Sequence, residues 1–173
     1  MRLYKLTDEK DQTYNKTQWG EGVSHQADGQ GDLCGPGWIH ATTHPLLAVL
    51  LNPIQGNYDL VTAHLWEGEG EVGKEDYGLK VGCTQFTTLR RLPLPTPSLE
   101  QRVRFAILCA CQVYKESTWQ TWAQAWLDGS NRTQEAAWAV GEAAWAAAGA
   151  AARAAREAEP LNLVSLAEEA CKE

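Results

Sequence analysis

The chain has 173 residues, of which 15 are Lys or Arg and 22 are Asp or Glu, so its formal net charge is −7. This length is sufficient for one ordinary domain, or for a small domain with a helical extension. Proteins that bind nucleic acid by neutralising phosphates normally carry a basic face. No basic cluster here is longer than Arg90-Arg91, so we expect no direct nucleic-acid binding. A protein partner with a basic surface suits the charge better.

Two features indicate the cellular compartment. The first five residues lack the apolar core of a signal peptide, and no apolar run approaches the length that spans a bilayer. The five cysteines are scattered without C-x-x-C spacing, which argues against a disulfide framework or a zinc knuckle. We therefore expect a cytoplasmic protein, without a membrane segment, whose cysteines are mostly buried thiols.

The proline-rich segment 93–97 separates two kinds of sequence. The front is rich in Gly, His and Thr, whereas the back is rich in Ala and Trp. Such a change of composition at a proline-rich stretch is typical of a boundary between structural regions. We predict an α+β sheet domain over residues 1–95 and a helical region over residues 96–173.

Hydrophobic alternation and turn residues predict the elements of the front region. Strands are expected at residues 2–6, 17–25, 38–41, 60–72 and 79–92, and a short helix at 44–51. Thr43 is the expected N-cap of that helix, and Pro45 fits its first turn. The front is therefore predicted to be a small, mainly antiparallel sheet with one short helix.

The back region begins with Ser98-Leu99-Glu100-Gln101, which has the pattern of a capping box. It predicts a helix to about residue 116, followed by a second helix from Thr118 to the turn at 128–131. A third, Ala-rich helix of about 28 residues is expected before Pro160, with a short last helix over 163–170.

The second helix carries a stripe of tryptophans. Trp119, Trp122 and Trp126 lie at positions i, i+3 and i+7, which places three indole rings on one face. Aromatic faces at this spacing usually form the core of a helical bundle. Because Trp is enriched at binding hot spots, part of the stripe could instead be a partner surface, or could pair two copies of the chain.

The front region contains one cluster of chemically capable residues. Three of the four histidines and a Gly-Pro-Gly turn lie within it, and Glu67, Glu69 and Glu71 follow on one face of a strand. We expect that face to be solvated, although three aligned carboxylates beside a pocket could also bind ribose hydroxyls or act as a general base. The histidines could cap turns, or the cluster could line a polar ligand pocket. The candidate ligand-binding residues are Cys34, Trp38, His40, His44, His64, Glu67 and Glu69.

A metal site at His40, His44 and His64 is a third reading of the same cluster, because neutral imidazoles suit zinc. His40 ends a predicted strand and His44 opens a predicted helix, so their spacing differs from the single helical face of H-E-x-x-H. We therefore expect no metal centre.

Four segments carry a resemblance: 33–40 with Cys34, Trp38 and His40, then 44–50, 65–70 and 87–92. They resemble a family of uncharacterised phage and prophage proteins, which have a C-x-x-G-[FW]-x-H front, a V-x-G-x-G-type strand and often an Ala-rich tail. The resemblance covers roughly residues 2 to 95. It implies a small accessory protein that acts inside an infected bacterial cell.

A weaker similarity is to ADP-ribosyltransferase-like folds. Tyr4-Lys5, the segment 37–43, and Glu67 or Glu69 follow one another in an order comparable to the NAD-binding elements of those folds. Lys5 stands where His or Arg is expected, and neither glutamate is marked as catalytic, so a shared fold would not by itself imply shared activity.

The sequence supports one main hypothesis of function. It predicts a noncatalytic, phage-type counter-defence protein, without a cofactor, that binds and blocks a host bacterial protein complex or its nucleotide signal. No serine lies in a nucleophile-elbow context, and no phosphate-binding glycine loop is present. One alternative is an NAD-dependent enzyme that uses the region of His40, His44 and Glu69, with NAD or another nucleotide bound. A second is a virion structural or assembly protein.

Overall fold

The computed structural model describes residues 1–132 and 161–172, and the chain divides into two compact units, Met1–Thr96 and Pro97–Glu173. The first unit is a sheet with one short α-helix, and the described part of the second is helical. The α+β class is therefore confirmed. The predicted long Ala-rich helix, with Trp138 and Trp145, lies outside the described residues. No helix in the described ranges has both the length and the apolar character needed to cross a membrane.

The sheet unit contains seven strands, all paired in antiparallel fashion. The main sheet has the order β1-β6-β7-β4, and β5 also pairs with β7, on the same edge as β4. A separate two-stranded ribbon joins β2 to β3. The strands are β1 Arg2–Thr7, β2 Gln12–Thr13, β3 Thr17–Gln18, β4 Ser24–Gln26, β5 Ile39–Ala41, β6 His64–Asp76 and β7 Lys80–Leu92.

A backbone bridge closes the strands into a circuit. Beyond the end of β5, Thr42 exchanges two hydrogen bonds of 2.8 Å with Tyr4, on the edge of β1 that β6 does not use. The pairing then runs from β1 through β6, β7 and β5 back to β1. This contact satisfies polar groups on an edge that would otherwise be available to another strand.

Alternation along β1 divides the apolar residues of the sheet unit between two faces. Leu3 belongs to a buried cluster on one face, and Leu6 belongs to a second cluster on the other, beside α1 (Pro45–Leu50). The first cluster comprises Leu3, Trp19, Ala41, Val81, Cys83 and Phe86, and the second comprises Leu6, Ala48 and Leu65. The sheet therefore packs on both faces.

Two glycines of β6 allow this packing. A methyl group on Gly68 would lie 2.5 Å from Cζ of Phe86 and would also meet the carbonyl oxygen of Thr87. A methyl group on Gly70 would lie 2.8 Å from Sγ of Cys83. Because Phe86 and Cys83 are both fully buried, the glycines provide the space that these side chains fill.

The structure corrects three predictions for this unit. Residues 17–25 do not form one strand, since Gly22 has φ 73° and Val23 donates a hydrogen bond of 3.1 Å to the Gly20 carbonyl, which makes a turn. The strand predicted at 60–72 begins only at His64. The N-cap of α1 is His44 rather than Thr43, because Nδ1 of His44 accepts a hydrogen bond from the Leu46 amide.

The helical unit contains α2 (Leu99–Val113), α3 (Ser117–Leu127) and α4 (Leu163–Ala170) among its described residues. The capping box is confirmed, because the Ser98 and Gln101 side chains each accept a hydrogen bond from the other's backbone amide. α2 ends three residues earlier than predicted. At the start of α3 the Glu116 carboxylate accepts from two backbone amides, and the short last helix is confirmed at its predicted position.

Replacing Gly68 by alanine tests the close packing between β6 and β7. We expect G68A to lower the free energy of unfolding by about 1–3 kcal/mol, because the added methyl group overlaps backbone and ring atoms. Urea denaturation of G68A and the wild type measures the effect.

The matched control for that experiment is G20A. A methyl group there would lie 3.4 Å from the Val23 side chain and would meet nothing closer. We expect G20A to be neutral, or to stabilise the fold by up to about 1 kcal/mol through the unfolded chain. Equal losses in G68A and G20A would contradict this account of the glycines.

Candidate functional site

The Gly-Pro-Gly loop is built around Trp38. The indole is buried, its Nε1 donates to the Gly31 carbonyl at 3.2 Å, and Nζ of Lys74 lies 5.5 Å from the centre of the ring. A methyl group on Gly37 would lie 2.6 Å from Oδ1 of Asp28 and would also meet the Gln30 carbonyl oxygen. Trp38 and Gly37 are therefore residues that shape this loop.

Cys34 lies in the same loop but is exposed, and its sulfur accepts a hydrogen bond from Nζ of Lys80 at 3.1 Å.

The three candidate histidines lie in three different environments. Nε2 of His40, in β5, donates to the Leu33 carbonyl, and burial lowers the pKa of His40, an effect that this hydrogen bond partly offsets. His44 caps α1, and Nδ1 of His64 bonds Oδ1 of Asp11 at 2.8 Å. Within the described ranges no three His, Cys, Asp or Glu side chains are grouped so that they could hold a metal ion.

The glutamates of β6 do not share one solvated face. Glu67 is buried, and its carboxylate pairs with Nε of Arg2 at 3.4 Å and Nη2 of Arg90 at 3.0 Å. Glu69 and Glu71 are exposed further along the strand. The expectation of a solvated face was wrong for Glu67, because the sheet brings both arginines to it: Arg2 lies on β1 and Arg90 on β7, the two strands that flank β6.

A second polar cluster, which the sequence did not reveal, is centred on Asp11. Oδ1 of Asp11 accepts from Nδ1 of His64 at 2.8 Å and from Nε1 of Trp66 at 3.0 Å, and Oδ2 accepts from Nη2 of Arg91 at 2.6 Å. The Arg91 guanidinium also lies 5.2 Å from the centre of the Trp66 ring. We name Asp11, His64, Trp66 and Arg91 the Asp11 cluster. The only sequence signal for it was the i, i+2 spacing of His64 and Trp66 on one face of a strand.

Lys5 is a further polar group of the sheet unit, and it was not among the candidate ligand-binding residues. It faces the same side of β1 as Leu3, and its Nζ donates to the His40 carbonyl at 2.7 Å and lies 5.0 Å from the centre of the Trp19 ring. Although part of Lys5 reaches solvent, burial of the ammonium lowers the pKa of Lys5 to about 8. Across the strand pairing, Lys5 lies opposite Trp66 of the Asp11 cluster.

The tryptophan stripe of α3 divides into a core end and an accessible end. Trp126 is buried with Ile107 and Ala123. Trp119 and Trp122 are partly buried, with ring centres 6.2 Å apart, and the ring of Tyr114 meets Trp119 edge-on at 5.6 Å. Tyr114 is 49% exposed. We name Tyr114, Trp119 and Trp122 the aromatic surface.

No protein-family model matches this chain, and no curated protein or solved structure is significantly similar to it. The resemblances drawn from the sequence therefore rest on the quoted motifs alone.

The environment of Lys5 predicts a dependence of stability on pH. Between about pH 8 and the ordinary lysine value of 10.5, the unfolded chain holds a proton on Lys5 that the folded chain has lost. The free energy of unfolding therefore gains a contribution, on the order of 2 kcal/mol, as pH rises through this window. We expect K5M to lack that gain.

Urea denaturation of the wild type and K5M at pH 7.5 and pH 10 measures this difference. The variant K10M is the control, because Lys10 is exposed. We expect it to keep the pH dependence of the wild type. An equal change between the two pH values in the wild type and K5M would show that the Lys5 ammonium is not destabilised by burial.

The pairing of Glu67 predicts a stability difference between two neighbouring glutamates. We expect E67Q to lower the free energy of unfolding by about 1–2 kcal/mol, because two arginines lose a charged partner whose side chain is only 8% exposed. E69Q, at the next exposed position on the strand, should change it by less than about 0.5 kcal/mol. Thermal denaturation compares the two variants, and equal stabilities would refute the structural role of Glu67.

Proposed function

We propose that this protein is an accessory protein that acts by binding a protein partner in stoichiometric amount through the aromatic surface of its helical unit. In this proposal it is of the phage counter-defence type and blocks a host bacterial protein complex. The observation that carries the proposal is the cluster of three neighbouring aromatic rings, in which Tyr114 is exposed and Trp119 and Trp122 remain partly accessible beside the core. Tyr and Trp side chains of this kind provide most of the binding energy at many protein interfaces.

The local polar groups around the aromatic surface support this assignment. The Glu116 carboxylate caps the start of α3, and the Gln120 side-chain amide donates to the Cys111 and Tyr114 carbonyls. These groups use their hydrogen bonds within the unit and hold the backbone of the connection between α2 and α3, which carries Tyr114 and leads into Trp119. A rigid aromatic surface loses little conformational entropy when a partner binds.

The charge of the chain favours a partner with a basic surface. α3 carries no ionisable residue between Ser117 and Leu127, whereas the whole chain has a net charge of −7. An apolar contact area on an acidic protein fits a partner whose own apolar patch has a basic rim. Charge of this sign would steer the partner toward the surface and raise the rate of association.

The contacts of the sheet unit give less support to NAD chemistry. Glu67 pairs with two arginines, His40 bonds a backbone carbonyl and His44 caps a helix, so three of the candidate ligand residues already serve the fold. The virion assembly alternative depends on the Ala-rich segment outside the described residues.

Replacing Trp119 and Trp122 together by alanine tests the proposal. We expect the double variant to retain less than about one tenth of the partner that the wild type captures from a bacterial lysate, since hot-spot residues contribute about 2 kcal/mol each. Quantitative mass spectrometry of the captured proteins measures the ratio of partner to bait. Circular dichroism of the variant checks that α2 and α3 are intact.

The control is Q124A, because Gln124 is exposed on α3 and lies outside the aromatic surface. It should capture as much partner as the wild type. If the double variant still captured the partner, the assignment of the aromatic surface would be refuted. The proposal would also be refuted if the protein altered its partner when present in substoichiometric amounts. Light scattering distinguishes a further outcome, in which the rings pair two copies of this chain and the double variant becomes monomeric.

A further inference from the structure

The Asp11 cluster has donor groups that its own contacts do not use. Asp11 has two carboxylate oxygens and receives three hydrogen bonds, from His64, Trp66 and Arg91. An arginine has five N–H donors in a planar fork, and a histidine has two ring nitrogens. Within the described part of the chain, one guanidinium nitrogen of Arg91 and one ring nitrogen of His64 have a hydrogen-bond partner.

We propose that the Asp11 cluster binds a small phosphate-bearing ligand, with Arg91 and His64 contacting the phosphate and with Asp11 and Trp66 positioning them. This site lies in the sheet unit and does not depend on the aromatic surface. It therefore goes beyond the proposed function and can be tested separately from it.

Arg91 has the donor groups that phosphate recognition uses. Its guanidinium donates to Oδ2 of Asp11, and its central carbon lies 5.2 Å from the centre of the Trp66 ring, so two contacts position the group before a ligand arrives. The side chain is 46% exposed, and its remaining N–H groups can pair with two phosphate oxygens at once. A lysine ammonium could not reproduce that pairing.

His64 provides the second contact. Its Nδ1 bonds Asp11, which fixes the orientation of the ring, while the side chain remains 25% exposed. Nε2 can accept a hydrogen bond from a phosphate hydroxyl or donate one to a phosphate oxygen. Arg91 and His64 bond the two oxygens of one carboxylate, which holds the two side chains next to each other.

The charge around the cluster favours a small ligand over a polymer. Residues 1–96 contain 8 Lys or Arg and 12 Asp or Glu, so the unit as a whole repels an extended polyanion. A single phosphate group, free or carried by a mononucleotide, needs only the local donors.

The test is calorimetric titration of the full chain with inorganic phosphate and with AMP. Two matched variants remove the same charge from neighbouring residues of β7: R91Q alters the Asp11 cluster, whereas R90Q alters the contact with Glu67. We expect R91Q and H64Q to weaken phosphate binding at least about tenfold, and R90Q to leave it within about twofold.

Each outcome decides the proposal. Equal weakening of phosphate binding by R91Q and R90Q would show a diffuse charge effect and would overturn the proposal. An absence of binding by the wild type at tens of millimolar phosphate would also overturn it.

The two ligands distinguish what the cluster recognises. If AMP binds more tightly than phosphate and R91Q loses that binding, the ligand is a nucleotide. If both bind equally and R91Q loses both, the cluster recognises the phosphate alone. If R91Q does not fold, R91K keeps the charge without the fork and should also weaken binding. The double variant at Trp119 and Trp122 should bind phosphate normally.

Discussion

Strand β7 is the constraint on which the sheet unit depends. One of its edges pairs with β6 along almost its whole length, and its other edge pairs with β4 and then with β5. Phe86 and Cys83 extend from it into the core, where Gly68 and Gly70 leave room for them. A larger residue at either glycine would separate the two longest strands. The two glycines therefore determine both the close approach of β6 to β7 and the packing of the core beside them.

The same sheet explains the position of Asp11. Its backbone adopts φ 60°, an unusual conformation for a residue other than glycine, and it accepts a hydrogen bond from the Trp19 amide at 2.8 Å. Its side chain bonds two residues of β6 and one of β7. Contacts at both the backbone and the carboxylate stabilise a turn conformation that the chain would otherwise disfavour. The polar cluster is thus part of what holds the turn against the sheet.

The sequence allowed prediction wherever a few consecutive residues determine the structure. The capping box at Ser98 and Gln101 is confirmed because its hydrogen bonds join residues three apart. The continuous strand over 17–25 was wrong because alternation cannot show that Gly22 turns the chain. Thr43 was a reasonable cap by residue type, but the imidazole of His44 accepts the amide bond instead.

The candidate site was harder to predict for a related reason. Asp11 and His64 lie 53 residues apart, and only the sheet brings them together. The quoted motif around Cys34, Trp38 and His40 attracted attention because its residue types are chemically versatile. In the structure Trp38 is mainly a packing residue and His40 bonds a backbone carbonyl, because a glycine-rich loop needs polar and aromatic side chains to fix its path.

Donor and acceptor counts separate residues that serve the fold from residues that can also bind a ligand. His40 and His44 each satisfy a nearby backbone group, and their chemistry follows from that local need. Arg91 differs, because a carboxylate accepts from one of its nitrogens and the group also lies 5.2 Å from the centre of a tryptophan ring. Arg90, its neighbour, pairs with buried Glu67 on the other face of the strand. Two adjacent arginines of equal charge thus have different roles because alternate side chains of a strand face opposite sides of the sheet.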